Sequence, residues 1–334
     1  MAVTPRGRRL RRAVGRWASA FAALLRPQGK PAYADGIAAG VALAGPLVFG
    51  LRTGRPGIGA TAALCAVLMA MPLPPGAGTA ERARHLAARG LWTTAAGIYV
   101  ALAGRSVAAL APGVAVAAFA GALLPRVGTT AALAVLLLGI SGDGGSPLPW
   151  PGVTEAAGCA WTALLLLPRP GKAVGDRQRP SAAPLRHASR TGLLTGAATA
   201  ATGWEGSLWG QGHWLVTSLL LSLRPTRGET RTKAVKRLIG NALGGVVAAL
   251  LLLGHPGPAA VAAVVGVSGA VAYTFRPANY AYWSLASPVL LLLLSDYGRP
   301  LPWWAAAVRA AMVLAGGSLA VLASRWLWPA EEGG

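Results

Sequence analysis

Two charged side chains lie inside long apolar stretches of this sequence, Glu155 near the start of one and Arg309 near the start of another. A charged group within a membrane is costly and usually faces a cavity or a partner, so Arg309 is a candidate for attracting an anion. The alternative is that its long side chain snorkels to the outer interface. Glu155, at a similar depth, is either the counter-charge of Arg309 or an exposed acid favoured at a helix N-terminus.

Four further residues are candidates for lining the path of an anion: Trp214, Arg237, Asn241 and Asn279. Asn241 lies in an apolar segment and needs a hydrogen-bond partner, so it either joins two helices or faces a ligand. Trp214 offers a face for stacking an aromatic molecule, or it belongs to the aromatic belt at the membrane–water interface. The sequence leaves both pairs of alternatives open.

Six basic residues are crowded into the segment 224–237, where Glu229 is the only acid. They mark the segment as cytoplasmic, because lysine and arginine prefer that side of a membrane. They would also form a basic vestibule that raises the local concentration of anions. Besides Arg237, the residues of this predicted vestibule are Arg224, Arg227, Arg231, Lys233 and Lys236.

Pairs of glycines four residues apart recur in the apolar stretches and predict close packing of helices. Because glycine has no side chain, such pairs let two helix backbones approach each other, as small-residue motifs do in membranes. The pairs are Gly36 and Gly40, Gly192 and Gly196, and Gly240 and Gly244.

The sequence shows no motif for a cofactor, a metal or catalysis. The four histidines are scattered, the two cysteines lie in apolar runs as small buried residues, and P-loop, nucleophile-elbow and zinc-protease motifs are absent. We therefore predict that the protein is not an enzyme and has no cofactor. A formal net charge of +21 would suggest nucleic acid for a soluble protein, but these basic residues flank apolar segments, which indicates an anionic membrane surface instead.

Twelve apolar segments must position these residues, and they predict an all-α polytopic membrane protein. Hydrophobic residues make up 54% of the 334 positions and charged residues 12%, against about 25% charged in a soluble domain. Several segments are shorter than the roughly 17–25 residues of a spanning helix and need flanking residues to cross. The segments are 33–51, 57–73, 90–104, 107–124, 128–141, 151–168, 190–203, 212–223, 238–254, 258–275, 280–295 and 303–328.

The basic residues collect in alternate gaps between these segments and thereby predict the orientation. If both termini are cytoplasmic, 26 of the 31 lysines and arginines lie on the inside and only four on the outside. Lysine and arginine follow this rule in membrane proteins generally. We therefore predict a multi-pass protein of the plasma (inner) membrane whose main partner is the lipid bilayer, with no nucleic-acid partner.

The chain divides into four parts. Residues 1–32 predict a basic amphipathic helix on the cytoplasmic membrane surface, or else a disordered basic tail. Residues 33–168 and 190–328 hold six apolar segments each, and residues 169–189 form a proline-rich cytoplasmic linker. Because six is even, both halves enter the membrane from the same side, which predicts parallel repeats related by an axis along the membrane normal.

The second half carries the most specific pattern. It runs from His213-Trp214-Leu215-Val216-Thr217 through Arg224-Pro225-Thr226-Arg227-Gly228-Glu229-Thr230 to Arg237-Leu238-Ile239-Gly240-Asn241-Ala242-Leu243-Gly244, and then to Asn279-Tyr280-Ala281, Pro288 and Arg309. This half resembles the fusaric-acid-resistance-like family of aromatic acid exporters, whose plant relatives include anion channels. Over 33–168 the resemblance is fainter and depends on the repeat.

The resemblance implies a six-helix unit, used twice, that moves small organic anions across the plasma membrane. The leading hypothesis is an exporter of organic or aromatic carboxylates; if it is driven, the proton gradient is the expected source, because the sequence has no ATP motif. The alternatives are a passive anion channel, as in the plant relatives, or a non-transporting envelope scaffold, which the scarcity of charge within the apolar segments favours. Family members usually have Gly-Thr where this chain has Gly240-Asn241, and often an aspartate where it has Met312. These departures put the family's proton or ion-pair chemistry in question here. The sequence does not predict the oligomeric state.

Overall fold

Twelve α-helices form the structure, a computed structural model that describes residues 22, 25–73, 77–103, 106–141, 150–168, 185–203, 212–295, 297 and 304–326. The regular secondary structure of these residues is helical throughout. The helices are α1 (Tyr33–Arg52), α2 (Pro56–Met69), α3 (Thr79–Ala103), α4 (Val107–Leu123), α5 (Thr130–Ser141), α6 (Val153–Leu166), α7 (Leu185–Thr202), α8 (Gly212–Ser222), α9 (Arg227–Leu253), α10 (Pro258–Phe275), α11 (Tyr280–Ser295) and α12 (Trp304–Trp326).

Each helix coincides with one of the twelve predicted apolar segments. The main difference concerns α3 and α9, which begin at Thr79 and Arg227, well before the predicted starts at 90 and 238. The two basic segments before them are therefore largely helical rather than loops, which corrects the interpretation from sequence. Thr226 caps α9, because its side chain accepts a hydrogen bond from the backbone N–H of Glu229, and the Thr-x-x-Glu spacing is a known helix-start signature.

Parts of two predicted segments lie outside the described residues. Of the predicted amphipathic segment 1–32, the structure describes residue 22 and residues 25–32. Of the linker 169–189 it describes only the end, where α7 begins at Leu185. The last residues of the linker are thus the first turn of a helix.

Five helices are long and apolar enough to cross a membrane, judged by length and composition: α1, α3, α9, α10 and α12. The others are shorter, apart from α7, which equals α10 in length but is less apolar. The 11 residues of α8, for example, rise only about 17 Å, whereas the hydrocarbon of a bilayer is roughly 30 Å thick. The prediction of a helical membrane protein has support at this level, while twelve crossings and cytoplasmic termini stay predictions.

Four of the shorter helices, α2, α5, α8 and α11, form the centre of the molecule. α2 contacts α11, and α5 contacts both α8 and α11, so the two halves of the chain share one apolar core. The described side chains of α5 and α8 are buried along almost their whole length. Cys65 and Cys159 are buried where α2 packs on α6, as small apolar residues would be.

The two halves also contact through exchanged pairs of helices, since α1 packs on α10 and α7 packs on α4. The predicted packing glycines lie in both contacts. A Cβ on Gly36 would lie 2.6 Å from the Ala270 carbonyl oxygen, and one on Gly40 would lie 2.8 Å from the Ala270 Cβ. The corresponding contact of α7 is made by Gly192 and Gly196 against Ala115.

The third glycine pair lies within the second half. A Cβ on Gly244 would come within 2.1 Å of the Leu285 carbonyl oxygen on α11, and one on Gly240 would meet the Ser284 backbone at 2.7 Å. Backbone atoms cannot turn aside as a side chain does. The absence of side chains at these positions therefore lets α9 and α11 lie against each other.

The outer surface of the long helices is strongly apolar. On α9, Leu243, Val246, Leu250 and Leu253 are between 49% and 64% exposed and recur every three or four residues. Large apolar stripes are rare on surfaces in contact with water, because exposing them to water is unfavourable. This surface is suited to the acyl chains of a lipid bilayer.

Candidate functional site

Basic side chains from both halves meet at one end of the central helices, where α2 stops and where α3, α9 and α11 begin. α3 contributes Arg89, α9 contributes Lys233 and Arg237, and Arg276 directly follows α10. Arg224, which precedes α9, lies with Arg237 and Arg276 close enough to Lys233 to repel its ammonium group. We call these five side chains the cation cluster.

Tyr280, in the first turn of α11, is the meeting point of the cation cluster. The Lys233 ammonium nitrogen lies 4.0 Å from the centroid of the Tyr280 ring, and Arg237 Nη1 donates to the Tyr280 hydroxyl at 3.2 Å. Arg237 Nε donates to Ser218 Oγ on α8 at 3.3 Å. Because Arg237 is buried while Lys233 and Tyr280 are partly exposed, an arriving anion would meet Lys233 and Tyr280 first.

Arg276 and Arg89 form the side of the cluster that touches the first half. The guanidinium carbon of Arg276 lies 4.3 Å from the centroid of the Trp283 ring, and its Nη1 donates to the Met71 sulfur at 2.8 Å. Arg89 is buried and donates to backbone oxygens at the end of α2, including that of Pro72 at 2.9 Å. Both arginines thus rest on neutral groups.

Among the described residues, no carboxylate lies within ion-pair distance of any member of the cation cluster. Burial lowers the pKa of the Arg276 and Arg224 guanidinium groups, which lie outside the spanning segments. Like charges that are close together and removed from water are costly for a protein on its own. The same arrangement suits an anion, which guanidinium groups bind through strong charge-assisted hydrogen bonds.

Arg309 lies inside the bundle of the second half, toward the opposite end from the cation cluster. Its side chain is 2% exposed, its guanidinium carbon lies 3.5 Å from the centroid of the Trp214 ring, and its Nη2 donates to the Ser287 backbone oxygen at 3.3 Å. This placement favours an inward-facing arginine over a snorkelling one. It also places Trp214, which is 1% exposed, within the protein rather than on its surface.

Buried polar side chains lie between these two basic regions. Asn241 donates to the Arg237 backbone oxygen at 2.9 Å, and its side-chain oxygen accepts no hydrogen bond from the described residues. Ser218 donates to the Val313 backbone oxygen at 2.7 Å, one helical turn beyond Arg309 on α12. The amide of Asn241 therefore has hydrogen-bonding capacity left for a ligand.

Glu155 does not lie beside Arg309. Its carboxyl group packs against Gly97 on α3, where an added Cβ would lie 2.7 Å from the carboxyl carbon. The ion pairs of the described residues do not join Glu155 to Arg309. The physical reason is the helix packing, because α6 packs on α1, α2 and α3, whereas α12 packs on α8 and α9.

The residues of the predicted basic vestibule have different surroundings. Arg227 Nε and Nη2 donate to backbone oxygens in the last turn of α12 at 3.1 and 3.0 Å, so this arginine caps a helix end. Asn279, predicted for the anion path, also caps a helix, since its Oδ1 accepts from the Ala281 N–H at 3.0 Å. Arg224 and Lys233 belong to the cation cluster, Lys236 is buried, and Arg231 is exposed.

Four residues of this site were not expected from the sequence: Arg89, Arg276, Tyr280 and Trp283. Arg276 and Tyr280 lie across a helix break, and nothing in their local sequence shows that α9 packs beside them. One signal was present, because Arg89 and Arg237 occupy matching positions in the two halves. Among the described residues, no three His, Cys, Asp or Glu side chains come together as a metal site would require.

His187, in the first turn of α7, makes the stability of this region depend on pH. Burial, reinforced by Arg190 and Arg224, lowers its pKa from 6.5 to about 4, and its Nδ1 accepts from Arg190 Nη2 at 2.9 Å. The unfolded chain therefore binds the proton near pH 6.5 and the folded protein only near pH 4, so stability is expected to fall as the pH drops through this window. Thermal unfolding followed between pH 7 and 4.5 measures this loss. The variant His187→Gln, which cannot take up the proton, should lose less stability over this pH range than the unaltered protein. If the two proteins show the same dependence of stability on pH, His187 does not have this role.

Residues 194–323, from within α7 to within α12, match a family model described as fusaric acid resistance protein-like. The second half of this chain is therefore similar to that family. The match confirms the resemblance found in the sequence. The matched region contains Arg309 and every member of the cation cluster except Arg89.

The fusaric acid resistance protein-like match, the long apolar helices and the apolar outer surface together support a membrane transporter. A search of curated proteins and a search of solved structures gave no match to this chain.

Proposed function

We propose that this protein exports organic carboxylates, aromatic ones among them, across the plasma membrane. The observation that carries the proposal is the cation cluster, whose five basic side chains have no carboxylate within ion-pair distance among the described residues. A bound carboxylate would offset their mutual repulsion. Three of the cluster's residues, Arg224, Lys233 and Arg276, are partly exposed, so a ligand can reach them. The fusaric acid resistance protein-like match supports the same function.

The transporter would consist of two like-oriented six-helix repeats with both termini in the cytoplasm. Two contacts support this arrangement, that of α1 with α10 and that of α7 with α4. Because α1 corresponds to α7 and α4 to α10, exchanging the two halves converts one contact into the other, as expected for equivalent repeats. The cation cluster then lies at the cytoplasmic end, where basic residues concentrate. From there an anion would pass Asn241 toward Arg309, with the proton gradient as the source of energy.

Flux measurements on purified protein in lipid vesicles test this function. Vesicles with the protein are expected to take up radiolabelled benzoate faster than protein-free vesicles, and faster still when a pH gradient is imposed. Arg309→Gln is expected to slow the flux roughly tenfold, because a buried hydrogen bond to a charged group contributes about 1.5–3 kcal/mol.

The flux measurements also separate the alternatives. Flux that ignores the pH gradient would replace the exporter with a passive anion channel. No flux of benzoate, or of aliphatic mono- and dicarboxylates tried in the same vesicles, would contradict transport and favour a membrane scaffold. Arg52→Gln is the matched control, because Arg52 is exposed at the end of α1 and belongs to neither the cation cluster nor the predicted anion path, so its replacement should leave the flux unchanged.

A further inference from the structure

The two halves carry the same arrangement of ionisable residues on matching helices. α3 and α9 each present an acid, a base and an arginine at successive four-residue intervals, so the three lie on one helix face. A further arginine follows α4 in the first half and α10 in the second, four residues before the next helix begins in each case. The matching sets are Glu81, His85, Arg89 and Arg126 in the first half, and Glu229, Lys233, Arg237 and Arg276 in the second.

In the first half, the acid of this set contacts the basic groups beside it. Glu81 Oε1 lies 3.3 Å from His85 Nε2 and 3.6 Å from Arg126 Nε, and Glu81 Oε2 lies 3.1 Å from Arg84 Nη1. His85 Nδ1 lies 3.3 Å from the Arg126 backbone oxygen, which holds the base and the arginine together. The carboxylate of Glu81 thus lies between the two basic groups that neighbour it.

In the second half the matching acid is turned away. Glu229 is exposed, and its backbone N–H is engaged with Thr226 at the start of α9. No ion pair joins it to Lys233 or Arg276 within the described part of the chain. Lys233 instead lies over the Tyr280 ring, and Arg276 over the Trp283 ring. The position that a carboxylate fills in the first half is therefore left without one in the second.

We propose that a carboxylate group of the ligand binds between Lys233 and Arg276, at the position that the Glu81 carboxylate takes between His85 and Arg126. In the first half, the Glu81 carboxylate takes the place of a ligand carboxylate, so that half cannot bind an anion. The chain therefore binds a single anion, and it does so in the second half. The buried Arg237 guanidinium, which contacts the Tyr280 hydroxyl, supplies further donors. The inference rests on the proposed function only in taking the ligand to be the transported anion.

Saturation binding of radiolabelled benzoate to the purified full-length protein in detergent tests the inference. One benzoate is expected to bind per chain. Lys233→Met and Arg276→Met are each expected to weaken binding at least tenfold, since each removes one charged donor from the site. The matched substitution in the first half, Arg126→Met, should leave the affinity unchanged. Equal losses from both halves, two benzoates per chain, or no binding to the unaltered protein would each overturn the inference.

A second variant tests the site without removing a cation. Tyr280→Glu places a carboxylate beside Lys233 and Arg237, and an acid is well tolerated in the first turn of α11. We expect Tyr280→Glu to unfold at a higher temperature than Tyr280→Gln, because glutamine has the same size as glutamate but carries no charge. Benzoate should stabilise Tyr280→Gln against heat but not Tyr280→Glu. Retained benzoate binding by Tyr280→Glu would rule out this site.

Failure of this inference can be told apart from failure of the proposed function. If benzoate binds as described but does not cross vesicle membranes, the site stands and transport falls. If benzoate crosses the membrane while Lys233→Met and Arg276→Met bind it normally, transport stands and the site falls.

Discussion

Replacement of Arg237 by methionine is expected to reduce carboxylate transport roughly tenfold to a hundredfold and to raise the unfolding temperature at the same time. Transport falls because a buried hydrogen bond to a charged group contributes about 1.5–3 kcal/mol, and each 1.4 kcal/mol is about tenfold in rate. Stability rises because Arg237 makes its hydrogen bonds to neutral groups, Ser218 and Tyr280, while Lys233 repels it. Methionine removes the charge and keeps most of the volume.

Arg82→Met is the matched control, and its effect on stability has the opposite sign. Arg82 donates to both carboxylate oxygens of Asp35 at 2.9 and 3.1 Å and to the Leu166 backbone oxygen at 2.9 Å. Its removal leaves a carboxylate and a buried carbonyl without their donor, so a loss of roughly 2–3 kcal/mol is expected. Benzoate flux in vesicles and thermal unfolding, measured on both variants, test these two expectations. A destabilised Arg237→Met with normal flux would make Arg237 a structural residue.

The second large effect concerns packing, since Gly36→Ala is expected to destabilise the protein by roughly 1–3 kcal/mol, the usual cost of overpacking. A Cβ at this position would lie 1.9 Å from Thr274 Oγ1, 2.6 Å from the Ala270 carbonyl oxygen and 2.7 Å from the Thr274 backbone nitrogen. The hydroxyl can rotate away, but the two backbone atoms belong to α10. The helices α1 and α10 must therefore separate, which loosens a main contact between the two halves.

Gly228→Ala serves as the control for this substitution. Gly228 lies in the first turn of α9, is exposed, and has open space where a Cβ would be. Because alanine favours the helix by about 0.8–1.0 kcal/mol over glycine in a helix interior, a small gain in stability is expected. Thermal unfolding in one detergent compares the two variants. If both shift the unfolding temperature equally, close approach of α1 and α10 is not what Gly36 provides.

These expectations share one physical idea. In the first half, Arg82 is paired with Asp35, and Arg84 and Arg126 with Glu81. The cation cluster, which includes Arg89, keeps its charges without ion-pair partners among the described residues. Unpaired charge at close range costs stability, and proteins retain such costs mainly at functional sites. The contrast between the halves is therefore informative, because the same chain contains both arrangements at matching positions.

Much of the helical layout followed from the sequence. Apolar runs bounded by charge predicted where each helix lies, because charged side chains are too costly inside a membrane to interrupt a span. The early starts of α3 and α9 were missed, because basic side chains were assigned to loops although the Thr226 and Glu229 spacing signalled a helix start. The resemblance of the second half to a known family was also recognisable, since a run such as Arg237 to Gly244 is a contiguous pattern.

The sequence alone determined the helical class, the apolar segments, the family resemblance of the second half and the inventory of basic residues, because all of these are local properties of composition and spacing. Only the tertiary structure decided which charges are compensated. Whether Glu81 reaches Arg126, or Glu229 turns away from Arg276, depends on how α3 and α9 pack beside segments far away in the chain. Likewise, Glu155 and Arg309 have similar depths in their helices but lie in different bundles. Depth can be estimated from position in the sequence, whereas the packing of one helix against another cannot.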